Sequence, residues 1–305
     1  MRSWVANAAM AARISADRAE LWVPGALVWL ATVGWLPLLL TVATFPAEAD
    51  LAFFGAGLVT SGAWPLNAAV LGVAGVLVVL VGFALAALGE AALRRGVERS
   101  SAPLAAHARR LMVAALIGAV PVVLALLALG IALSAVAPDE FQSPDIGGEV
   151  VVRIAGRVAP VLVVLVLAVL AGEVIGATFS RRVTGPDAGR MGAALRAAVG
   201  DVRRSWLRLI GVAVCSLAGT VAYLVAATLL LRVLWAPIAA PLAVGQGIDA
   251  PGVLLLVGFV AIWLCLLLGG GALHAWASTW WTLELAEARR DGAERSRNLE
   301  AITPA

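Results

Sequence analysis

Residues 161–182 read VLVVLVLAVLAGEVIGATFSRR. The run is almost wholly apolar, is interrupted by Glu173, and closes on Arg181 and Arg182. A helix needs about 20 mainly apolar residues to cross the hydrocarbon layer of a bilayer. The run has that length, more than a membrane strand needs. Its backbone is therefore expected to satisfy itself as a helix.

Five further stretches have the same character. The six expected spans are 21–44, 66–88, 111–137, 158–179, 206–235 and 253–281, which makes the fold class an all-α integral membrane protein. The chain reads as a single membrane domain, 1–305, with an interfacial helix over about 3–18 and a tail from 282 to 305. Pro37 and Pro121 fall inside spans and are expected to kink them, which membrane helices tolerate. Composition agrees: of 305 residues, 62% are hydrophobic and only 13% charged, whereas a soluble domain is nearer half apolar and a quarter charged.

All 22 basic residues are arginine. With abundant Ala, Gly and Val, this points to a GC-rich bacterial genome and so to a bacterial inner membrane. The arginines sit beside alternate span ends. Arg94, Arg95, Arg99, Arg109 and Arg110 follow span two; Arg181, Arg182, Arg190, Arg196, Arg203, Arg204 and Arg208 follow span four; Arg289, Arg290, Arg295 and Arg297 follow span six. The opposite loops hold Glu48, Asp50, Asp139, Glu140, Asp145, Glu149 and Asp249, interrupted by Arg153 and Arg157. This bias puts both termini in the cytoplasm. Trp22, Trp206, Trp280 and Trp281 then fall at the inner interface, and Trp64 and Trp235 at the outer one. Arg232, three residues from Trp235, is expected to snorkel outward. A sequence pI near 9.6 raises nucleic acid as a partner, but arginines lined up with apolar spans fit a membrane surface instead.

The start, MRSWVANAAMAARISADRAELW, has no compact apolar core after its basic residues, so it does not read as a cleaved signal. It reads as an interfacial amphipathic helix with Trp4 as an anchor. In the loop after span four, Met191, Leu195, Val199 and Val202 form an apolar stripe with Arg196 and Arg203 off it, the pattern of a helix lying on the inner surface. The segment 49–64, ADLAFFGAGLVTSGAW, is apolar enough to dip into the membrane.

Span entries and exits recur. DRAELW (17–22) and DVRRSW (201–206) open spans one and five. LGEAALRRG, AGEVIGATFSRR and LELAEARRDG close the even spans, each passing from apolar helix through a glutamate to paired arginines. Three parallel helical hairpins follow: about 1–100, 101–190 and 191–305. Mitochondrial carriers share that plan but need a Pro-acid-basic signature at the odd-helix ends. FPAEAD, APDEFQ and APIAAP carry no basic partner there. The cytoplasmic basic segment leading into a tryptophan, together with ASTWWTLELAEARRDG at 277–292, resembles a bacterial six-helix family. That family is the membrane domain associated with glycerophosphodiester phosphodiesterases, with stand-alone relatives. In it the last helix ends in an aromatic followed by acidic and doubly basic residues; Trp280, Trp281, Glu284, Arg289 and Arg290 take those places at looser spacing. The catalytic barrel is absent, so the resemblance implies no phosphodiesterase residues.

The candidate intramembrane polar site is Glu173, His274 and Glu90. Glu173 lies about 9 Å from the inner end of its span at the helical rise, with no basic residue before Arg181. His274, at similar depth in span six, is its expected partner. Glu90 can meet Arg94 one turn on. An ionisable group at this depth is either a proton or substrate site or a paired strut. Gly269, Gly270 and Gly271 either pack a helix closely or unwind as a binding site. Arg94, Arg95, Arg109, Arg110, Arg181, Arg182, Arg203 and Arg204 are candidates for anionic phospholipid or partner contacts.

No catalytic constellation is evident. There is no Gly-x-Ser-x-Gly elbow, and VIGATFS in span four lacks the Gly-x-Ser of an intramembrane protease. The Gly269–Gly271 run is not followed by Lys-Ser/Thr, so it is no phosphate loop. Cys215 and Cys265 read as buried hydrophobes. With only His107 and His274, no zinc set or haem pair is expected. The expected function is a non-enzymatic inner-membrane module, without cofactor, that binds lipids or membrane or cytosolic partner subunits. The alternative is a permease using Glu173 and His274 in its path.

Overall fold

The computed structural model describes residues 4–43, 66–98, 103–141, 148–184, 191–243, 245, 247 and 249–302. The segment 49–64 with Trp64, and Glu48, Asp50, Arg99, Asp145 and Arg190, lie outside them. The described residues are almost wholly helical, without strands: α1 (Trp4–Asp17), α2 (Trp22–Trp29), α3 (Leu36–Val42), α4 (Leu66–Glu98), α5 (Leu104–Phe141), α6 (Gly148–Val183), α7 (Met191–Ala243) and α8 (Ala250–Ile302). Five of these helices are long and apolar enough to cross a membrane, and the bent pair α2–α3 makes a sixth. The chain is an all-helical, multi-pass membrane protein.

The helices outrun the apolar stretches that predict them, because the backbone ladder has no reason to stop at the hydrocarbon edge. The expected tail from 282 continues α8 to Ile302. The first span is broken. Leu30–Gly34 is wound as a π-helix, and α3 leaves it at a bend of 46°. Pro37, in the first turn of α3, lacks an N–H and its ring crowds the carbonyl one turn back, which explains a break here. Local side chains satisfy the disturbed backbone. Thr32 Oγ1 donates to Val28 O at 2.8 Å, and Trp35 Nε1 to Thr32 O at 3.1 Å. By contrast, α5 runs through Pro121 as one helix.

Two compact units make up the chain. The first comprises Met1–Ala8, Arg110–Ser216 and Trp280–Ala305; the second comprises Ala9–Arg109 and Leu217–Thr279. In the first, Gly118 of α5 faces Gly172 and Gly176 of α6 so closely that a Cβ on Gly118 would lie 2.9 Å from the Gly176 Cα. Gly172 and Gly176 form a Gly-x3-Gly face, the spacing that lets membrane helices touch backbone to backbone. Beside this crossing, Ala114, Phe179, Val183, Ala194 and Ala198 form an apolar core. Trp4 stacks on Trp280 with centroids 4.8 Å apart. The expected lipid anchor is therefore a protein contact: the start of α1 docks on α8 through Trp4 and Asn7.

In the second unit α2 packs on α4 and crosses α8 through Gly25 and Gly271. Leu21, Leu93 and Ala275 fill one end of this packing, with Ile14 and Val97 against them. Leu231, Ile238 and Phe259 fill the other. Arg232, expected only to snorkel, is exposed and also donates to Leu40 O at 3.2 Å. It caps one of the last carbonyls of α3, where a helix terminus favours a cation. Cys265 is exposed and Cys215 half-buried, both as free thiols. Burial is thus not what the cysteines share; both simply lie in apolar helices.

Candidate functional site

In the second unit, two helices each contribute polar side chains one turn apart: Glu90 and Arg94 from α4, His274 and Ser278 from α8. Glu90 is the hub. Its Oε1 accepts from Arg94 Nε at 2.8 Å and from Ser278 Oγ at 2.7 Å, and its Oε2 lies 3.0 Å from His274 Nε2. With Glu90 ionised its oxygens only accept, and the contact then takes the His274 tautomer that carries its hydrogen on Nε2. The Glu90 and Arg94 side chains are 15% and 4% exposed, and burying a charge is tolerable only with pairing and hydrogen bonds of this kind. The i,i+4 pairing of Glu90 with Arg94 expected from the sequence is present. The carboxylate beside His274 is Glu90 rather than Glu173. Glu173 belongs to the first unit and is exposed on α6. It follows Gly172, whose face turns toward α5, so the glutamate projects about 100° away from that crossing.

The three α8 glycines serve contact. Through them α8 continues as an unbroken helix. A Cβ on Gly269 would collide with the Tyr223 hydroxyl, one on Gly270 with the Trp29 indole, and one on Gly271 with the α2 backbone at Trp22 and Ala26. Trp29 and Tyr223 meet edge to face at 5.6 Å, and Tyr223 donates to Leu266 O at 2.8 Å. A narrow cleft next to them is lined by Gly34, Pro37, Trp263 and Leu267, with room for roughly one water.

In the first unit, polar side chains gather near the end of α6, over residues 281–289 of α8, on α7 and at the start of α1. Arg182 holds Asp201 with two bonds of 2.7 and 2.6 Å, and Arg289 Nε lies 4.0 Å from the same carboxylate. Arg181 donates to Thr282 Oγ1 at 3.1 Å and to Ala177 O at 3.0 Å, with its guanidinium 6.0 Å over the Trp281 ring. Asn7 Nδ2 bridges Glu284 Oε1 at 3.0 Å and Glu287 Oε2 at 2.7 Å; Arg208 lies 3.6 Å from each carboxylate.

The eight candidate arginines therefore divide. Arg94 and Arg181 are buried and Arg182 half-buried, and all three are engaged within the protein. Arg94 and Arg181 turn their guanidinium groups to acceptors within the protein, and Arg182 spends Nε and one terminal nitrogen on Asp201. Arg95 is half-buried. Arg110 is exposed and caps α6 through Val183 O at 3.2 Å. Arg109, Arg203 and Arg204 are exposed.

Comparison with protein-family models, curated proteins and solved structures finds no match. The chemistry of the clusters must speak for itself. The Ser278 hydroxyl and the His274 imidazole converge on the Glu90 carboxylate instead of on each other, unlike the hydrogen-bonded pair of a nucleophile and its base. Among the described residues, no three His, Cys, Asp or Glu side chains gather as a metal ion would require. Sequence reasoning did not single out Ser278, Asn7 or Tyr223. Ser278 was findable as the residue one turn after His274, and Asn7 as the lone amide in an alanine-rich helix. Tyr223 carried no such signal.

Proposed function

We propose that the chain is a non-enzymatic module of the bacterial inner membrane, with both termini in the cytoplasm, that binds anionic lipid or partner subunits. One observation carries this reading: in the second unit the Arg94, His274 and Ser278 side chains all turn to the one Glu90 carboxylate. Close glycine contacts support it, since they build a tightly packed scaffold. The arginines left exposed would do the recruiting, and the stand-alone relatives of the phosphodiesterase membrane domain are the kind of protein meant. Purification in native nanodiscs, followed by mass spectrometry of lipids and proteins, tests it. Stoichiometric anionic phospholipid or a partner subunit is the expected result; a preparation carrying neither would sink the proposal.

A permease is the second reading, and the broken first span favours it, because discontinuous helices carry the substrate sites of many transporters. The π-wound segment and the cleft at Trp29 and Trp263 would lie in the path. Reconstituted vesicles separate the two readings. Under transport, Glu90→Gln or Glu173→Gln abolishes proton-coupled flux. The absence of flux in the unsubstituted protein removes the permease.

A further inference from the structure

We propose that residues 191–204, the arm of α7 before its span, form a docking helix for a bilayer surface rich in anionic headgroups. The proposal rests on the lipid-binding reading above and assigns it to one segment. The arm is set off from the span by Ser205, whose φ of −128° and ψ of 23° interrupt the helical geometry. Trp206, at the start of the span, is half exposed.

The arm has two kinds of face. Ala194, Ala198 and Asp201, at i, i+4 and i+7, are buried. The alanines join Ala114, Phe179 and Val183 in the apolar core, and Asp201 is gripped by Arg182. Small residues and one ion pair thus hold the arm to the protein. Its large apolar residues point elsewhere. Met191, Leu195 and Val199, at i, i+4 and i+8, are 39%, 36% and 52% exposed. A surface helix of a water-soluble protein buries its large apolar stripe; this one leaves that stripe open.

Counting 100° per residue around the helix, the order is the protein-bound face, then the apolar stripe, then Arg203 and Arg196. Both arginines are exposed, as is Arg204 further round. This is the order an interfacial helix needs. Apolar side chains enter the acyl boundary while guanidinium groups sit at headgroup level beside them. A water-filled surround would leave the stripe without a partner, and the flanking positive charge selects a negatively charged surface. The observations therefore favour lipid over a protein partner.

Nitroxide labels test the assignment in the full-length protein with Cys215 and Cys265 changed to alanine. Single cysteines are placed at Leu195→Cys and Val199→Cys on the stripe and at Ala193→Cys on the other exposed face. The proteins are reconstituted in phosphatidylcholine, alone or mixed with phosphatidylglycerol. Collision with oxygen reports lipid, and collision with a soluble nickel chelate reports water. The expected ratio of oxygen to nickel collisions at 195 and 199 is several-fold above that at 193 in mixed vesicles. Replacing Arg196, Arg203 and Arg204 with glutamine should reduce that difference. Stripe labels open to nickel in mixed vesicles overturn the proposal. Labels shielded from both probes also overturn it, since a protein partner or second copy then covers the stripe. Lipid analysis of the same preparation separates the two proposals: anionic lipid that co-purifies although the stripe labels sit in water refutes the arm and leaves the module reading standing.

Discussion

The two units place charge among apolar helices in different ways. In the second, a single carboxylate on α4 receives three donors from two helices. In the first, Asp201, Glu284 and Glu287 share arginines and Asn7 contributed by several helices. A hub concentrates dependence: without Glu90, Arg94 loses its carboxylate in a buried place, and His274 and Ser278 lose the same acceptor. A distributed network dilutes dependence, because each charge has neighbours that remain when one is deleted. Sensitivity to single substitutions should therefore differ more between the units than their glycine packing does.

The largest effect should come from packing, at the backbone crossing of the second unit. Gly271→Leu sets a side chain against the backbone of Trp22 and Ala26, which cannot yield as a flexible side chain would. The cost should exceed the ~1–3 kcal/mol of ordinary overpacking, leaving no monodisperse protein on size exclusion. Gly72→Leu, where a Cβ meets nothing within 4 Å, should elute like the parent. Equal behaviour of the two would remove the crossing from the account.

Next in size is the hub. Glu90→Ala takes the paired carboxylate from the 4%-exposed Arg94 side chain and should cost about 3–5 kcal/mol, read as lost resistance to unfolding in mixed micelles. Asp201→Ala in the other unit should cost less, about 1–3 kcal/mol, because the Arg182 side chain is 21% exposed and reaches solvent or headgroups. A larger loss from Asp201→Ala than from Glu90→Ala would reverse the comparison. Ser278→Ala removes one of the three donors and should cost ~1 kcal/mol. Arg232→Ala, which uncaps Leu40 at an exposed helix end, belongs at the bottom of the series, ~0.3–1 kcal/mol.

Spans are legible in a sequence because length and hydropathy decide them with no knowledge of neighbours. The five long apolar helices and the broken sixth follow the expected segments for that reason. What failed depends on azimuth and register, which a linear reading does not contain. Glu173 and His274 were matched by depth alone, yet a helix presents each depth on every side, and Glu90 is the acidic residue turned toward His274. The break at Leu30–Gly34 was half legible: Pro37 marks it, while the π turn depends on local packing. Gly172 and Gly176 stood in the opening stretch at Gly-x3-Gly spacing, overshadowed by the glutamate beside them. The arginines were read as one class because charge is visible in sequence and burial is not.

The consecutive glycines of α8 have a mechanical corollary. Each of the three fits a different neighbour: a phenol ring, an indole and a stretch of main chain. Sliding or turning the helix by one residue, about 100°, would set Leu268 against Tyr223 in one direction, or Ala272 against α2 in the other. The helix is keyed like a shaft in its bearing. Any rearrangement that moves α8 at this crossing must carry α2 with it.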